Sequence, residues 1–167
     1  MITAAILTIS DSAAEGARED RSGPAVRERI EALGWRVLSH DLVPDDADLI
    51  SVKLRDLADV DHAPVVFTTG GTGIALRDVT PEATRAVVDR EIPGLPELMR
   101  SEGRLSTPFA ALSRGVAGSR GSTLIVNLPG SPKGAVESLN AIAHLVPHIV
   151  DLLHGRTQHG PGAAMAP

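Results

Sequence analysis

A glycine-rich segment in the middle of the chain has the composition of an anion-binding loop. It consists of Thr68-Thr69-Gly70-Gly71-Thr72-Gly73 and follows directly after the apolar run Val65-Val66-Phe67. Because glycine has no Cβ, backbone N–H groups in such a segment can approach a phosphate or a carboxylate closely. It is not a Walker P-loop, which needs a Gly-Lys-Ser/Thr ending, nor a G-x-G-x-x-G motif, since Leu76 occupies the sixth position from Gly71. Taken alone, the segment is equally compatible with a flexible connection.

Acidic residues lie within reach of this loop. Asp78 comes five residues past Gly73 and could contact an Mg²⁺ ion bound to a phosphate, because Mg²⁺ prefers oxygen ligands and few protein carboxylates. An acidic run, Pro44-Asp45-Asp46-Ala47-Asp48, follows a predicted strand and should lie close by. Each has a simpler interpretation, with Asp78 as a turn or capping residue and the acidic run as a helix start.

Two further loops belong at the same place if the strands are parallel. Ser10-Asp11-Ser12 ends the first predicted strand, and the segment 127–132 ends the last long one. A Pro129-Gly130 turn that opens a helix directs unpaired N–H groups outward, toward an anion or a heterocycle. Each loop alone is an ordinary turn, but four loops at the carboxyl edge of one sheet favour a nucleotide-type pocket.

The elements that must position these loops alternate along the chain. Apolar, β-rich runs predict strands over 3–9, 35–42, 64–69 and 123–128. Helix-start signals lie at Ser22, Asp46, Thr80 and Pro132. Thr80 is expected to cap its helix, and Pro147 is expected to kink the last one. Strands separated by helices predict a mostly parallel sheet covered on both faces, to which 113–122 adds an antiparallel edge strand or hairpin.

Composition excludes several classes of function. The net charge of −5 and the presence of only one Trp, two Phe and no Tyr argue against a nucleic-acid binder. The lack of cysteine excludes disulfides, thiolate metal sites and cysteine nucleophiles, and it fits a cytoplasmic location. No window approaches the roughly 18–20 apolar residues of a membrane span, and the first ten residues predict a strand rather than a signal peptide. We therefore expect neither a nucleic-acid nor a membrane partner.

Several motifs, in order along the chain, resemble one known family. They are Thr68-Thr69-Gly70-Gly71-Thr72-Gly73, Arg77-Asp78-Val79-Thr80-Pro81-Glu82-Ala83, Pro93-Gly94-Leu95, Leu112-Ser113-Arg114, Arg120-Gly121-Ser122-Thr123-Leu124-Ile125 and Asn127-Leu128-Pro129-Gly130. Together they resemble the MogA/MoaB molybdopterin adenylyltransferase family, which includes the G domain of gephyrin and its plant counterpart. The resemblance runs over about 6–155, and no domain boundary interrupts it, so we expect one domain at 1–155. Residues 156–167 are rich in Gly, Ala and Pro and have no periodicity, which predicts a flexible tail. One departure is Leu76, where members often have proline.

The resemblance implies a fold, a reaction and partners. The fold is a three-layer α/β/α domain that commonly forms a homotrimer. Apolar surface from the region 93–105, with Leu95, Leu98 and Met99, could supply part of the contact. The reaction is transfer of AMP from Mg-ATP to the terminal phosphate of molybdopterin, with release of pyrophosphate. Because molybdate insertion follows this step, contact with the molybdate-inserting enzyme is also expected.

The resemblance also implies the residues of the site. The two essential acids of the family correspond to Asp45 and Asp78, which we expect to be catalytic and to hold Mg²⁺. The other candidate binding residues are Ser10, Asp11, Thr69, Gly70, Gly71, Thr72, Gly73, Ser113, Arg114, Pro129 and Gly130. Two other functions stay open: a nucleotide-hydrolysing enzyme of the competence-damage type, which usually has extra domains, and a non-catalytic pterin-binding or scaffold module. The presence of both acids favours the adenylyltransferase, because a pure binder does not need paired magnesium ligands.

Overall fold

A six-stranded sheet forms the middle layer of the computed structural model, which describes residues 1–156. Its strands are β1 (Thr3–Ile9), β2 (Arg36–Val43), β3 (Val65–Thr69), β4 (Arg90–Glu91), β5 (Ala117–Arg120) and β6 (Thr123–Leu128). They lie in the order β2-β1-β3-β6-β5-β4, and the first four are parallel, whereas β5 is antiparallel to both of its neighbours. The predicted mostly parallel sheet and the hairpin into the 123–128 strand are confirmed, but the short β4 forms the edge.

Helices cover both faces of the sheet. They are α1 (Asp11–Ala14), α2 (Ser22–Ala32), α3 (Ala47–Arg55), α4 (Thr80–Arg85), α5 (Gly94–Gly103), α6 (Pro132–Ile142) and α7 (Val146–Leu153); a π turn (Asp56–Val60) extends α3, and a 3₁₀ turn (Pro108–Leu112) follows α5. α2, α5, α6 and α7 pack in one core with Phe67, and α3 and α4 pack in the other with Val66. The predicted three-layer α/β/α architecture is therefore confirmed.

The central strands β3 and β6 are buried along their whole length. Alternate side chains point to opposite faces, so Phe67 and Val126 enter one core while Val66 and Ile125 enter the other. Removing a large apolar side chain from water contributes about 1.5–3 kcal/mol. Each of these strands therefore packs against both layers of helices, and the loops that follow β3 and β6 begin from well-packed strand ends.

Two helix predictions need correction. The single C-terminal helix with a kink is two helices, and Pro147 lies at the second position of α7. At that position the missing N–H of proline removes no helical hydrogen bond. Thr80 does not cap α4, because Val79 occupies the capping position and the Thr80 hydroxyl donates to the Gly70 carbonyl.

The carboxyl ends of the parallel strands meet at one edge of the sheet, as predicted. Thr8 of β1 pairs with Thr69 of β3, which in turn pairs with Leu128 of β6, and Ile9 of β1 pairs with Val43 of β2. The four loops that follow these strands therefore begin side by side, at Ser10, Pro44, Gly70 and Pro129.

The described residues end at Arg156, so the tail predicted for 156–167 lies outside them from residue 157 onward. Across residues 1–156, no helix is both long enough and apolar enough to cross a membrane. The position of every loop discussed below is set by the sheet and by the helices on its two faces.

Candidate active site

Two cavities open at the carboxyl edge of the sheet. The first, of about 360 Å³, lies against α5, the 3₁₀ turn and α6, with Met99 and Phe109 in its lining; we name it the apolar cavity. The second, of about 380 Å³, lies beside the end of β1, with Asp20 and Asp45 in its lining; we name it the acidic cavity. The residues that line both cavities and form a shared wall are Gly71, Asp78, Gly130 and Ser131.

The glycine loop, residues 70–73, has no room for side chains at its first two positions. Gly70 and Gly71 have φ angles of +102° and +67°, which lie in the left-handed region that glycine adopts without strain. A Cβ at Gly70 would lie 2.2 Å from the Ile9 carbonyl oxygen, and one at Gly71 would lie 2.3 Å from Thr80 Oγ1. Both the backbone conformation and the close packing therefore require glycine here.

The glycine loop presents unpaired amides. The Gly70 amide donates to the Leu128 carbonyl across 3.2 Å, so it closes the turn and is not available to an anion, contrary to the expectation for this residue. Considering residues 1–156, the amides of Gly71, Thr72 and Gly73 donate to no protein atom. Adjacent unpaired amides in a turn form a concave surface that favours an anion.

Asp11 and Asp45 hold each other through reciprocal hydrogen bonds. The Asp11 amide donates to the Asp45 carboxylate and the Asp45 amide donates to the Asp11 carboxylate, both at 2.9 Å. Arg77 donates two hydrogen bonds to the Asp11 carboxylate, at 2.8 and 2.9 Å, and this guanidinium holds the pKa of Asp11 below its usual range. The three residues tie the loops after β1 and β2 to the segment that follows the glycine loop.

The surroundings of Asp45 fit a divalent cation. Burial raises the pKa of Asp45 above its ordinary value, the charges of Asp11 and Asp78 raise it further, and the hydrogen bond from the Asp11 amide opposes the rise. Asp45 and Asp78 both line the acidic cavity, so a cation between them would relieve their repulsion. No group of three or more His, Cys, Asp or Glu side chains suited to a metal occurs in the described part of the chain. Two carboxylates, completed by phosphate and water oxygens, are the kind of ligand set that Mg²⁺ prefers.

Asp78 combines the two interpretations that its sequence position allows. Its Oδ2 accepts a hydrogen bond from the Ala75 amide at 2.9 Å, and its own amide donates to the Ala75 carbonyl at 3.0 Å. These bonds make it a turn residue. The same turn fixes its carboxylate against Gly73, in the wall that both cavities share. A structural and a chemical role are therefore compatible in this residue.

We expect Asp45→Asn to raise the melting temperature at neutral pH. Because the pKa of Asp45 is raised by folding, its ionisation lowers the free energy of unfolding as the pH rises from its ordinary value through the raised one. The neutral amide keeps an oxygen that can accept from the Asp11 amide but has no charge to repel Asp78. Thermal melts of wild type and variant at about pH 7 and about pH 3 test this sign. The gain should shrink at the acid pH, and an equal gain at both would contradict the charge explanation.

The other candidate binding residues divide into two groups. Those that line at least one cavity are Ser10, Gly70, Gly71, Thr72, Gly73, Ser113, Pro129 and Gly130. Asp11 and Thr69 line neither cavity, and Arg114 lines neither of these two but a third cavity, of about 360 Å³, beside α5 and β5. Asp11 holds Arg77, and the buried Thr69 hydroxyl donates to the Pro129 carbonyl at 2.6 Å. The geometry therefore gives these three residues a part in holding the loops, and their predicted contact with a ligand stays a prediction.

Sequence reasoning does not find the outer walls of the two cavities. α5 and the 3₁₀ turn supply the far side of the apolar cavity, where Phe109 is 75% exposed. In the acidic cavity, Asp20 accepts hydrogen bonds from the Thr8 hydroxyl at 2.7 Å and from the Gly23 amide at 3.0 Å. Two signals were available: one of the few aromatic residues lies outside any apolar pattern, and a polar Thr8 interrupts an apolar strand.

The fold and the loop geometry together define a class of protein. Ligands of open, parallel α/β sheets bind at the carboxyl ends of the strands, and unpaired amides beside carboxylates suit a phosphate with its metal ion. The geometry therefore suits a ligand that carries a phosphate group, such as a nucleotide or a similar phosphate ester.

Comparison with known proteins narrows this class to one family. Residues 5–148 match the family model described as a probable molybdopterin binding domain. The match covers most of the chain, so the protein belongs to this family. The resemblance identified from the motifs is confirmed.

Individual relatives agree with this assignment. A Helicobacter pylori protein named molybdopterin adenylyltransferase is 43% identical, over 90% of this chain and 86% of its own length. The molybdenum cofactor synthesis protein cinnamon of Drosophila melanogaster is 44% identical over 91% of this chain, which spans only 26% of that longer protein. A solved structure, the molybdopterin biosynthesis enzyme MoaB of Thermus thermophilus, is 52% identical with a TM-score of 0.88, covering 93% of this chain and 98% of that one.

Proposed function

We propose that this protein is a molybdopterin adenylyltransferase of molybdenum cofactor biosynthesis. It transfers AMP from Mg-ATP to the terminal phosphate of molybdopterin and releases pyrophosphate. The observation that supports this most directly is the pair of cavities that meet at Gly71 and Asp78. The names of relatives that match along most of their length point to the same reaction.

Two cavities with a common wall suit a reaction between two substrates. A donor in one cavity and an acceptor in the other would have their phosphates side by side at the shared wall. Holding both reactants in place converts a bimolecular encounter into a positioned step, which can account for a large part of a rate enhancement. A protein that binds a single pterin has no need of the second cavity.

The chain's own groups would position the phosphates and balance their charge. The unpaired amides of Gly71, Thr72 and Gly73 bind phosphate oxygens, and the N-terminus of α6 opens on the same wall through Gly130. Asp45 and Asp78 would hold Mg²⁺, which when bound supplies charge neutralisation for the phosphates. Phosphoryl-type transfer needs positioning and electrostatic stabilisation more than covalent help from the protein.

The bond changes in the proposed step are simple. An oxygen of the terminal phosphate of molybdopterin forms a bond to the α-phosphorus of ATP. The bond between that phosphorus and the oxygen bridging to the β-phosphate breaks, and pyrophosphate leaves with the electron pair. The amides of the glycine loop act on the oxygens around the reacting phosphorus or on the leaving pyrophosphate, where negative charge accumulates.

Incubation of the purified chain with molybdopterin, ATP and Mg²⁺ tests the proposal. We expect mass spectrometry to detect adenylyl-molybdopterin and a matching amount of pyrophosphate, with neither product when ATP is omitted or EDTA is added. Binding of molybdopterin without either product would instead identify a non-catalytic binding or scaffold module. Hydrolysis of ATP without adenylyl-molybdopterin would identify a different enzyme on the same domain.

We also propose that the protein is a homotrimer, on the strength of the family resemblance. Within the predicted contact region 93–105, Leu95 and Met99 are unsuited to the contact, because they are buried in the core of their own chain, and Leu98 packs partly against that core. Exposed large apolar side chains include Leu105, in the same predicted region, and Leu112, which lines the apolar cavity. Light scattering at micromolar concentration should give three times the chain mass of 17.4 kDa. A stable monomer mass would contradict the trimer.

A cytoplasmic location and contact with the molybdate-inserting enzyme stay predictions.

A further inference from the structure

All four carbonyl groups of the glycine loop are held by two residues. The Thr80 hydroxyl donates to the Gly70 carbonyl at 2.9 Å, and the Thr80 amide donates to the Gly71 carbonyl at 3.1 Å. The Arg114 amide donates to the Thr72 carbonyl at 2.8 Å, and Arg114 Nε donates to the Gly73 carbonyl at 2.7 Å. Each of the two residues thus uses one backbone and one side-chain donor on successive peptide groups.

Peptide geometry turns this arrangement into an orientation of the amides. In a planar trans peptide, the C=O of one residue and the N–H of the next point in opposite directions. Because the carbonyls of residues 70–73 are drawn toward Thr80 and Arg114, the amides of residues 71–74 point away from them. The first three of these amides belong to residues that line the cavities, and none of the four has a protein acceptor within residues 1–156.

Arg114 also connects the loop to Asp78. Its Nη2 donates to the Asp78 carbonyl at 2.7 Å, and its Nη1 donates to the Glu82 carboxylate. The Arg114 side chain is about one-third exposed; it lines neither the apolar nor the acidic cavity but the third one, with Arg85 and Glu91. Within the described residues, its guanidinium donates only to the Gly73 carbonyl of the loop, the Asp78 carbonyl and the Glu82 carboxylate of α4.

We propose that Thr80 and Arg114 are positioning residues that hold the glycine loop with its amides facing the phosphates, and that neither contacts a substrate. The proposal rests on the function proposed above and assigns Arg114 an indirect role in place of the direct binding expected from the sequence. The fork of the guanidinium matters, because it spans the Gly73 and Asp78 carbonyls together with Glu82, which the single ammonium of lysine cannot do.

Calorimetric titration with inorganic pyrophosphate and Mg²⁺ tests Arg114 without requiring turnover. We expect Arg114→Gln to weaken pyrophosphate binding about tenfold, which corresponds to loss of one charge-assisted hydrogen bond, and Arg114→Lys to restore only part of the affinity. Arg120→Gln is the matched control, since Arg120 also joins a carboxylate (Asp59) to a carbonyl (Val87) but lies outside both cavities. Both glutamine variants should lower the melting temperature, but only the first should weaken binding.

A second pair of variants tests Thr80. Thr80→Val keeps the shape of this fully buried side chain but removes its hydroxyl, whereas Thr80→Ser keeps the hydroxyl. We expect the valine to weaken pyrophosphate binding and the serine to restore it. Thr123→Val is the control, because the buried Thr123 hydroxyl likewise donates to a carbonyl, that of Ala63 at 2.7 Å, far along the sheet from the loop.

NMR separates positioning from direct contact. In the ligand-free protein, Arg114→Gln and Thr80→Val should shift the amide resonances of Gly71, Thr72 and Gly73, whereas Arg120→Gln and Thr123→Val should not. Unchanged loop resonances with weakened pyrophosphate binding would overturn the proposal, because the residue would then contact the ligand itself. Variants that bind pyrophosphate as tightly as wild type would overturn it as well. So would a wild type that binds no pyrophosphate at all. A wild type that binds pyrophosphate but forms no adenylyl-molybdopterin would contradict the proposed function and leave this test valid.

Discussion

Asp78→Asn is expected to remove adenylyl transfer while leaving the fold intact. The asparagine keeps a carbonyl oxygen where Asp78 Oδ2 accepts from the Ala75 amide, and it keeps the backbone bond to the Ala75 carbonyl. It loses the negative charge that, with Asp45, would hold Mg²⁺ in the acidic cavity. Loss of one preorganised electrostatic group at a reacting centre typically costs about 10²–10³ in kcat, and we expect a loss of at least that size.

Asp46→Asn provides the control for this experiment. Asp46 lies one residue from Asp45, but its side chain caps α3 by accepting from the Leu49 amide at 3.0 Å. Asparagine caps helices about as well as aspartate, so both stability and activity should stay near the wild-type level. Rates of adenylyl-molybdopterin formation and thermal melts of both variants decide the matter. Turnover of Asp78→Asn at the wild-type rate would reduce Asp78 to a turn residue.

The position of the site could be predicted from the sequence because it depends on topology. Parallel strands must present their carboxyl ends at one edge, so the loops after Ile9, Val43, Thr69 and Leu128 had to meet once the strands were recognised. The helices that follow these loops have clear start signals in the sequence, as at Asp46, which caps α3. None of these inferences needs the direction of a side chain.

The role of individual residues near the site could not be predicted, because it depends on that direction. Arg114 and Thr69 lie beside the glycine loop, but their side chains donate to backbone carbonyls, Arg114 to those of Gly73 and Asp78 and Thr69 to that of Pro129. The burial of Leu95 and Met99 could not be predicted either, since it depends on how α5 packs against α6. The same packing creates the apolar cavity, which no local pattern in the sequence predicts.

Gly71→Val is expected to abolish most of the binding of Mg-ATP, and it changes the loop in two ways. The φ angle of +67° strains any β-branched residue, at a cost of about 1–3 kcal/mol. The new Cβ would also lie 2.3 Å from Thr80 Oγ1 and 3.0 Å from Asp45 Oδ1, so the loop must move away from the residue that orients it. Loss of even one amide contact to phosphate corresponds to roughly tenfold in affinity, or about 1.4 kcal/mol, and displacement of the loop affects more than one.

Gly121→Val separates backbone strain from loss of the site. Gly121 also has a positive φ, +52°, but a Cβ there meets nothing within 4 Å, and the residue lies in the β5–β6 turn. Both variants should melt at a lower temperature than wild type, and calorimetric titration with ATP and Mg²⁺ should show weakened binding only for Gly71→Val. Lys53→Ala should leave the affinity nearly unchanged, because Lys53 pairs with Asp41 and lines neither cavity. Wild-type affinity in Gly71→Val would mean that the phosphates bind elsewhere, and the Pro129-Gly130 turn at the N-terminus of α6 would then be the best remaining position.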